Sequence, residues 1–349
     1  MPRTAIPAAL SLLLLALAIG AVRGDAEPDL TRPQTATSDA TWRLSERLGR
    51  GVNLSNMLEA PAGRGAPVTE ATLDTAVRLG FDSIRVPIRW SARAEAEPPY
   101  RIEPDFIDHV RWVIAEARER GLLVIVNVHH YKELFDDPDG HEDRMTALWT
   151  QIASALRDQP DDVLLELLNE PHANLTPERW NALLPRLLDA VRTSNPTRPV
   201  LVAPGQWNQI DQLERLRLPD DPNLIVTIHY YEPFRFTHQG ASWIKLNTQE
   251  WLGTPWNATP EERAAIDEDF DRAAAWGRAH GRPLHLGEFG AIFKADDDSR
   301  ERWTRYVRQA AEARDIPWTY WGLQANFGVY DRRAGLPVEP IHSALFDDR

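Results

Sequence analysis

The 349-residue chain has no cysteine, so no disulfide can brace it and no cysteine set can hold a metal. Its stability has to come from a sizeable apolar core, which a chain of this length can build. Positive charge is also scarce. Thirty-nine Lys and Arg face 52 Asp and Glu, giving a net charge of −13 with no basic stripe. That field argues against nucleic acid and anionic membranes as partners, whereas a neutral polymer is indifferent to it. After the first 24 residues no run is long and apolar enough to span a bilayer. Finally, no glycine-rich phosphate loop follows the first expected strand, which speaks against a doubly wound nucleotide-binding sheet.

What is present begins with MPRTAIPAALSLLLLALAIGAVRGD, where Arg3 precedes an apolar run from Ala8 to Val22 and small residues bracket a cleavage point before Asp25. Residues 1–24 read as a secretory signal peptide, so the mature protein is expected to be secreted or periplasmic, with no membrane attachment after cleavage. Residues 25–41 are polar, hold two prolines and read as a tether. Residues 42–349 read as one domain. Within it, strands are expected near Gly51–Asn53, Ser83–Ile88, Leu122–His129, Val163–Asn169, Pro199–Pro204, Leu224–Tyr230, Pro283–Glu288 and Trp318–Gly322. Several are apolar on both faces, as parallel strands covered on both sides must be. Helical patterns lie between them, near Thr69–Leu79, Glu103–Gly121, Glu142–Arg157, Thr176–Thr193, Pro260–His280 and Ser299–Ala313, with a last one near Glu339–Leu345. Thr69 and Thr176 are expected N-caps. Strand and helix alternating eight times predict a single (β/α)8 TIM barrel.

Polar side chains collect where these strands end. Arg85 lies in SIRVPIRW, His129-His130 closes the third strand, and Asn169-Glu170-Pro171 closes the fourth. His229-Tyr230-Tyr231 closes the sixth, Gly287-Glu288-Phe289-Gly290 the seventh, and Trp321 the eighth. In a barrel those ends converge on one face, where active sites are built. Glu170 alone could be a carboxylate capping a loop. Glu170 and Glu288 together, facing each other across a barrel mouth, are the paired carboxylates of glycoside hydrolysis. Arg85, a permanent cation in the interior, needs an anion; Glu288 is the natural candidate, another barrel acid the alternative. Asn169 is placed to donate to a sugar hydroxyl or a carboxylate, Tyr231 to hydrogen-bond the nucleophile, and His229 to orient the acid.

Adjacent histidines on a strand point to opposite faces, so His129 and His130 do not read as metal ligands. No metal and no cofactor are expected. DPDGHED (137–143) lacks the closing glutamate of a calcium loop and reads as an acidic surface loop. ADDDS (295–299) reads as a helix N-terminus. Of thirteen tryptophans, Trp112, Trp149, Trp180, Trp276 and Trp303 fall on helices and are expected to pack against the barrel. Trp90, Trp207, Trp243, Trp251, Trp256 and Trp321 fall at strand ends or in loops, where a flat ring can take the C–H face of a sugar. Trp321 is the expected floor of the subsite beside the cleaved bond, and the long aromatic loop 232–259 the wall of a groove.

RGVNLSNMLEAP, IRVPIRWS, LLNEPHANLTPERWN, VTIHYYEPFRFTHQGASW, LGEFGA and NFGVYD, in that order, resemble glycoside hydrolase family 5 over about residues 50–346. They are most similar to its branch of endo-β-1,4-glucanases that often also accept mannans. The resemblance implies a retaining (β/α)8 glycosidase with Glu170 as acid/base and Glu288 as nucleophile. Arg85, His129, Asn169, His229, Tyr231 and Trp321 would complete the active-site shell. His130, Asn56, Glu59, Trp243 and Phe327 would contact substrate. The implied partner is a β-1,4-linked polysaccharide or oligosaccharide, cut by a protein expected to act as a monomer. One departure stands out: where that branch commonly has a polar or acidic residue after the strand-eight tryptophan, this chain has Gly322, with Gln324 the nearest replacement as hydroxyl partner.

Three rivals remain at this stage. An endo-β-1,4-mannanase would use the same chemistry on a sugar differing at C2. A non-catalytic glycan-binding barrel would have lost one of the two carboxylates, yet both are present. An isomerase or lyase of phosphorylated substrates would want a phosphate loop where GEFGAIFKADDD is acidic.

Overall fold

The computed structural model describes residues 35–61 and 64–347. Eight parallel strands close on themselves in chain order: β1 (Arg50–Asn53), β2 (Ser83–Val86), β3 (Leu123–Asn127), β4 (Val163–Glu166), β5 (Val200–Val202), β6 (Leu224–Tyr230), β7 (Leu284–Phe289) and β8 (Trp318–Tyr320). Closure is made by β1 against β8, with Val52 beside Tyr320. This is the expected barrel. The long helices Pro104–Glu119, Pro138–Leu156, Pro177–Arg192, Pro260–His280 and Asp297–Glu312 lie between strands. Thr69, on the shorter helix Glu70–Arg78, and Thr176, on Pro177–Arg192, are N-caps as expected, each accepting a backbone N–H.

Strand alternation sorts the barrel into two cores. Val124, Val126 and Leu165 face the helices and join the large outer cluster, together with Trp149, Trp180, Trp276 and Trp303. Their neighbours Leu123, Ile125 and Leu164 face inward with Leu201 and Ile225. That inner layer is completed by Leu44 and Leu48, on and just after a helix that the sequence reading did not anticipate, α1 (Asp39–Arg47). Ser38 caps it, and the segment before it is docked. Thr35 N–H meets Asp220 at 2.6 Å, Thr37 Oγ1 donates to the Gly281 carbonyl at 2.7 Å, and Ser38 N–H donates to the Pro222 carbonyl at 2.8 Å. Residues 35–41 are therefore part of the folded unit and not tether. The rest of the expected tether and the expected signal peptide lie outside the described residues. Among the described residues no helix is long and apolar enough to cross a membrane.

Two further expectations are corrected. The DPDGHED stretch is helical: Asp137 accepts the Gly140 N–H, Pro138 takes the first helical position, and the helix runs to Leu156. An aspartate before proline is an N-terminal signal, and its helical reading outweighs the loop reading of its acidity. Among the loop tryptophans, Trp90, Trp251 and Trp256 are buried; the Trp90 indole donates to the Asn127 carbonyl.

Candidate active site

Above the inner leucine layer the barrel interior turns polar, and Arg85 is its hub. All five of its N–H groups are used. Nε and Nη2 form a fork onto Glu166 at 2.7 Å each, and Nη2 also meets Asn169 Oδ1 at 2.7 Å. Nη1 donates to Asn53 Oδ1 at 2.8 Å and to Glu288 Oε1 at 2.7 Å. Both acids named as alternatives for Arg85 are thus bound at once. Burial disfavours the guanidinium charge, but Glu166 and Glu288 outweigh it and raise the Arg85 pKa above its ordinary value. Asn53 donates in turn to the Gly287 carbonyl at 3.0 Å, tying β1 to β7.

Glu288 reaches this hub because β7 is irregular. Thr227 pairs with His285 and Ile228 with Leu286, but His229 pairs with Glu288, so Gly287 is an extra residue. Alternation counted from the inward His285 would turn Glu288 out among the helices; the insertion turns it back in. The inserted residue has to be glycine, since a Cβ there would lie 2.6 Å from Thr227 Oγ1 and 3.0 Å from His229 Nε2. Glu288 then receives Arg85 on one oxygen and the Tyr231 hydroxyl, at 2.9 Å, on the other.

Glu170 follows β4 with a left-handed backbone, φ +48°. Its Oε1 lies 2.9 Å from His229 Nδ1, and its side chain stays 25% exposed in the mouth. One oxygen from each carboxylate and one His229 ring nitrogen lie within 4.8 Å of one another. Among the described residues this is the only such trio close enough to hold a metal ion, and it excludes His129 and His130. Its donors are engaged otherwise: both Glu288 oxygens already accept hydrogens, and Arg85 beside them opposes a second cation.

Burial acts on both acids. It pushes the Glu170 carboxyl up to about 7, with His172, Arg85 and a hydrogen bond from Asn169 pulling the other way. Burial also raises Glu288, against the opposing pull of His229 and Arg85. Only Glu288 has the guanidinium in direct contact, so it is the one that gives up its proton first. Burial holds His229 down to about 4 and His129 well below its usual range, so both rings are neutral.

The other expected residues divide. His129 and Trp321 stack with rings parallel at 5.5 Å, and Trp321 is half-buried. His130 and Asn56 are exposed at the rim, and Trp243 on the long loop is 49% exposed. Two expectations fail. Glu59 is 3% exposed, and its oxygens accept the N–H groups of Asn56 and Met57, so it shapes the loop that presents Asn56 instead of meeting a sugar. Phe327 is 4% exposed in a small cluster with Ala241 and Ile292, edge-on to Tyr231; it backs the wall and offers no face. Gly322 is explained by packing, because a Cβ there would lie 2.3 Å from Ser55 Oγ.

Sequence reasoning missed Glu166, Asn53, His172 and Asn208. Glu166 had a signal, an acid in the middle of the apolar LLELL, four residues before Glu170. Asn208 had none: it touches Glu170 from 38 positions away. Trp207, beside it, is 45% exposed and stacks on His172 at 5.0 Å.

A closed (β/α)8 barrel whose strand ends bring two carboxylates together over a buried arginine, with aromatic rings around them, has the frame of a glycoside hydrolase. The cellulase family model, glycosyl hydrolase family 5, matches residues 47–327, and the chain belongs to that family. It is 31% identical to endoglucanase H of Acetivibrio thermocellus over 95% of its own length, and 25% identical to endoglucanase 3 of Fibrobacter succinogenes over 89%. The chain spans 37% and 54%, respectively, of the lengths of those relatives. Among solved structures it is similar to Thermotoga maritima Cel5A, with 41% identity and a TM-score of 0.85 over 87% of this chain and 99% of that one. Cel5A has been solved with mannotriose and with cellobiose.

Proposed function

We propose that the chain is a secreted, retaining endo-β-1,4-glucanase that cuts cellulose or mixed-linkage glucan and also accepts glucomannan or mannan. The observation that carries the retaining mechanism is that one oxygen of Glu170 and one of Glu288 lie within 4.8 Å of each other. Carboxyl groups about 5–5.5 Å apart suit retention, whereas inversion needs about 6.5–9.5 Å to admit a water. Glu288, ionised and aimed by Arg85 and Tyr231, attacks C1. Glu170, protonated, gives its proton to the departing glycosidic oxygen. A covalent glycosyl-enzyme results, and Glu170 then takes a proton from the water that hydrolyses it. Trp321 on the floor, with Trp207 and Trp243 exposed nearby, offers rings to a chain of sugars. The endoglucanase names of the relatives support the glucan, and the mannotriose complex of Cel5A supports the wider substrate range. Secretion is supported by the apolar leader alone.

The test is reducing-sugar release from carboxymethyl cellulose, barley β-glucan and glucomannan. Release from the glucans is expected, and the rate on glucomannan relative to them measures the second specificity. A protein that binds these polymers and cuts none would be a glycan-binding barrel.

The pH profile follows from the two acids. Activity requires Glu170 protonated, so kcat/KM should fall as pH rises through about 7. It requires Glu288 ionised, so it should fall again in acid as that carboxylate takes up a proton. An alkaline limb at the ordinary glutamate value of 4.5 would contradict the assignment of Glu170 as the acid.

A further inference from the structure

Glutamate rarely adopts a left-handed backbone, yet Glu170 holds φ +48°, so the surrounding structure must keep it there. The turn after β5 does this. Gln206, Trp207 and Asn208 have φ of 52°, 62° and 58° in succession, which folds the turn back over the end of β4. Two bonds strap it down. Trp207 N–H donates to the Pro171 carbonyl at 3.2 Å, and Glu170 N–H donates to Asn208 Oδ1 at 3.1 Å. On the other side His172 Nδ1 lies 2.6 Å from the Glu170 carbonyl oxygen, and the Trp207 ring lies on His172.

The Asn208 amide is fully buried, and its orientation is set, because only its oxygen can accept the Glu170 N–H. That leaves Nδ2 buried with no hydrogen-bond partner among the described residues. We propose that Asn208 is a positioning residue for Glu170: it fixes the backbone of the acid so that its carboxyl meets the leaving oxygen. The proposal rests on the retaining-glycosidase reading. It also makes Trp207, an exposed ring at the mouth, and the acid two parts of one braced unit.

The test uses aryl β-cellobiosides with leaving groups of different basicity. The kcat/KM value covers the steps up to departure of the leaving group, and a phenolate needs a proton that 2,4-dinitrophenolate does not. Asn208→Gly keeps the left-handed backbone and removes the acceptor. It is expected to lower kcat/KM on phenyl β-cellobioside about 30-fold, a part of what general acid catalysis supplies, and on the dinitrophenyl substrate by less than about threefold. Equal losses on both substrates would overturn the positioning role. Asn208→Asp keeps an acceptor oxygen for the Glu170 N–H. It is expected to retain the wild-type response to leaving group. A fall on the phenyl substrate alone in this variant, with the acceptor still in place, would also overturn the proposal, independently of whether Asn208→Gly folds. A wild type inert on every one of these substrates would instead overturn the glycosidase reading beneath it.

Discussion

Glu288→Ala is expected to lower turnover of 2,4-dinitrophenyl β-cellobioside by about 10⁴-fold or more, because the residue that forms the covalent bond to C1 is gone. Added azide should restore much of that rate. It enters the space left by the carboxylate and attacks C1 from the same side, expelling dinitrophenolate, so the product is the α-glycosyl azide. The variant should fold, since Arg85 keeps its two bonds to Glu166 and is not left as an unpaired buried charge. The anomeric form of the product makes the experiment decisive. A β-glycosyl azide would mean that the vacated residue was the acid/base, and the roles of Glu170 and Glu288 would have to be exchanged. Unchanged turnover would remove Glu288 from the chemistry altogether.

The second large effect is expected at a residue that touches no substrate. Glu166 is fully buried, and its oxygens take two of the five Arg85 hydrogen bonds. Glu166→Gln neutralises the hub's principal counter-charge and replaces one acceptor oxygen with a donor facing another donor. Breaking a buried pair from one side costs about 3–5 kcal/mol, which a shift in thermal or denaturant midpoint will read. A guanidinium that turns away takes Glu288 with it, and a displacement of 1 Å at the reacting centre is worth about 100-fold in rate. The pH profile separates this from general loosening. Glu166 is among the charges that raise the Glu170 pKa, so its neutralisation should move the alkaline limb below about 7. A variant with wild-type stability, rate and pH profile would show that the Arg85–Glu166 pair is dispensable.

The barrel and its two carboxylates were readable because both depend on short-range pattern. Apolar runs of strand length alternate with amphipathic runs of helix length, and Asn-Glu-Pro and Gly-Glu-Phe-Gly stand where such runs stop. What was not readable depends on contacts between distant segments. Glu59 looks like a rim acid until its oxygens are seen folded onto Asn56 and Met57. Phe327 looks like a sugar platform until the long loop, through Ala241, is seen to cover it. The segment before Thr41 is polar and lacks periodicity, as a tether does. Its order comes from Asp220, Pro222 and Gly281, whose positions only the closed barrel determines. The inserted Gly287 is subtler: counted by alternation, LHLGEF places Glu288 on the wrong face, and only the strand register shows the irregularity that corrects it.

The division of the barrel interior has a consequence for how the protein can change. One end of the axis is dry, a layer of five strand residues corked by Leu44 and Leu48; the other is a network of charges and amides around Arg85. Cohesion is concentrated in the first and reactivity in the second. Substitutions that tighten the cork can raise tolerance to heat without entering the electrostatics of the mouth, and the mouth can be retuned for a different sugar while the cork holds the strands in register.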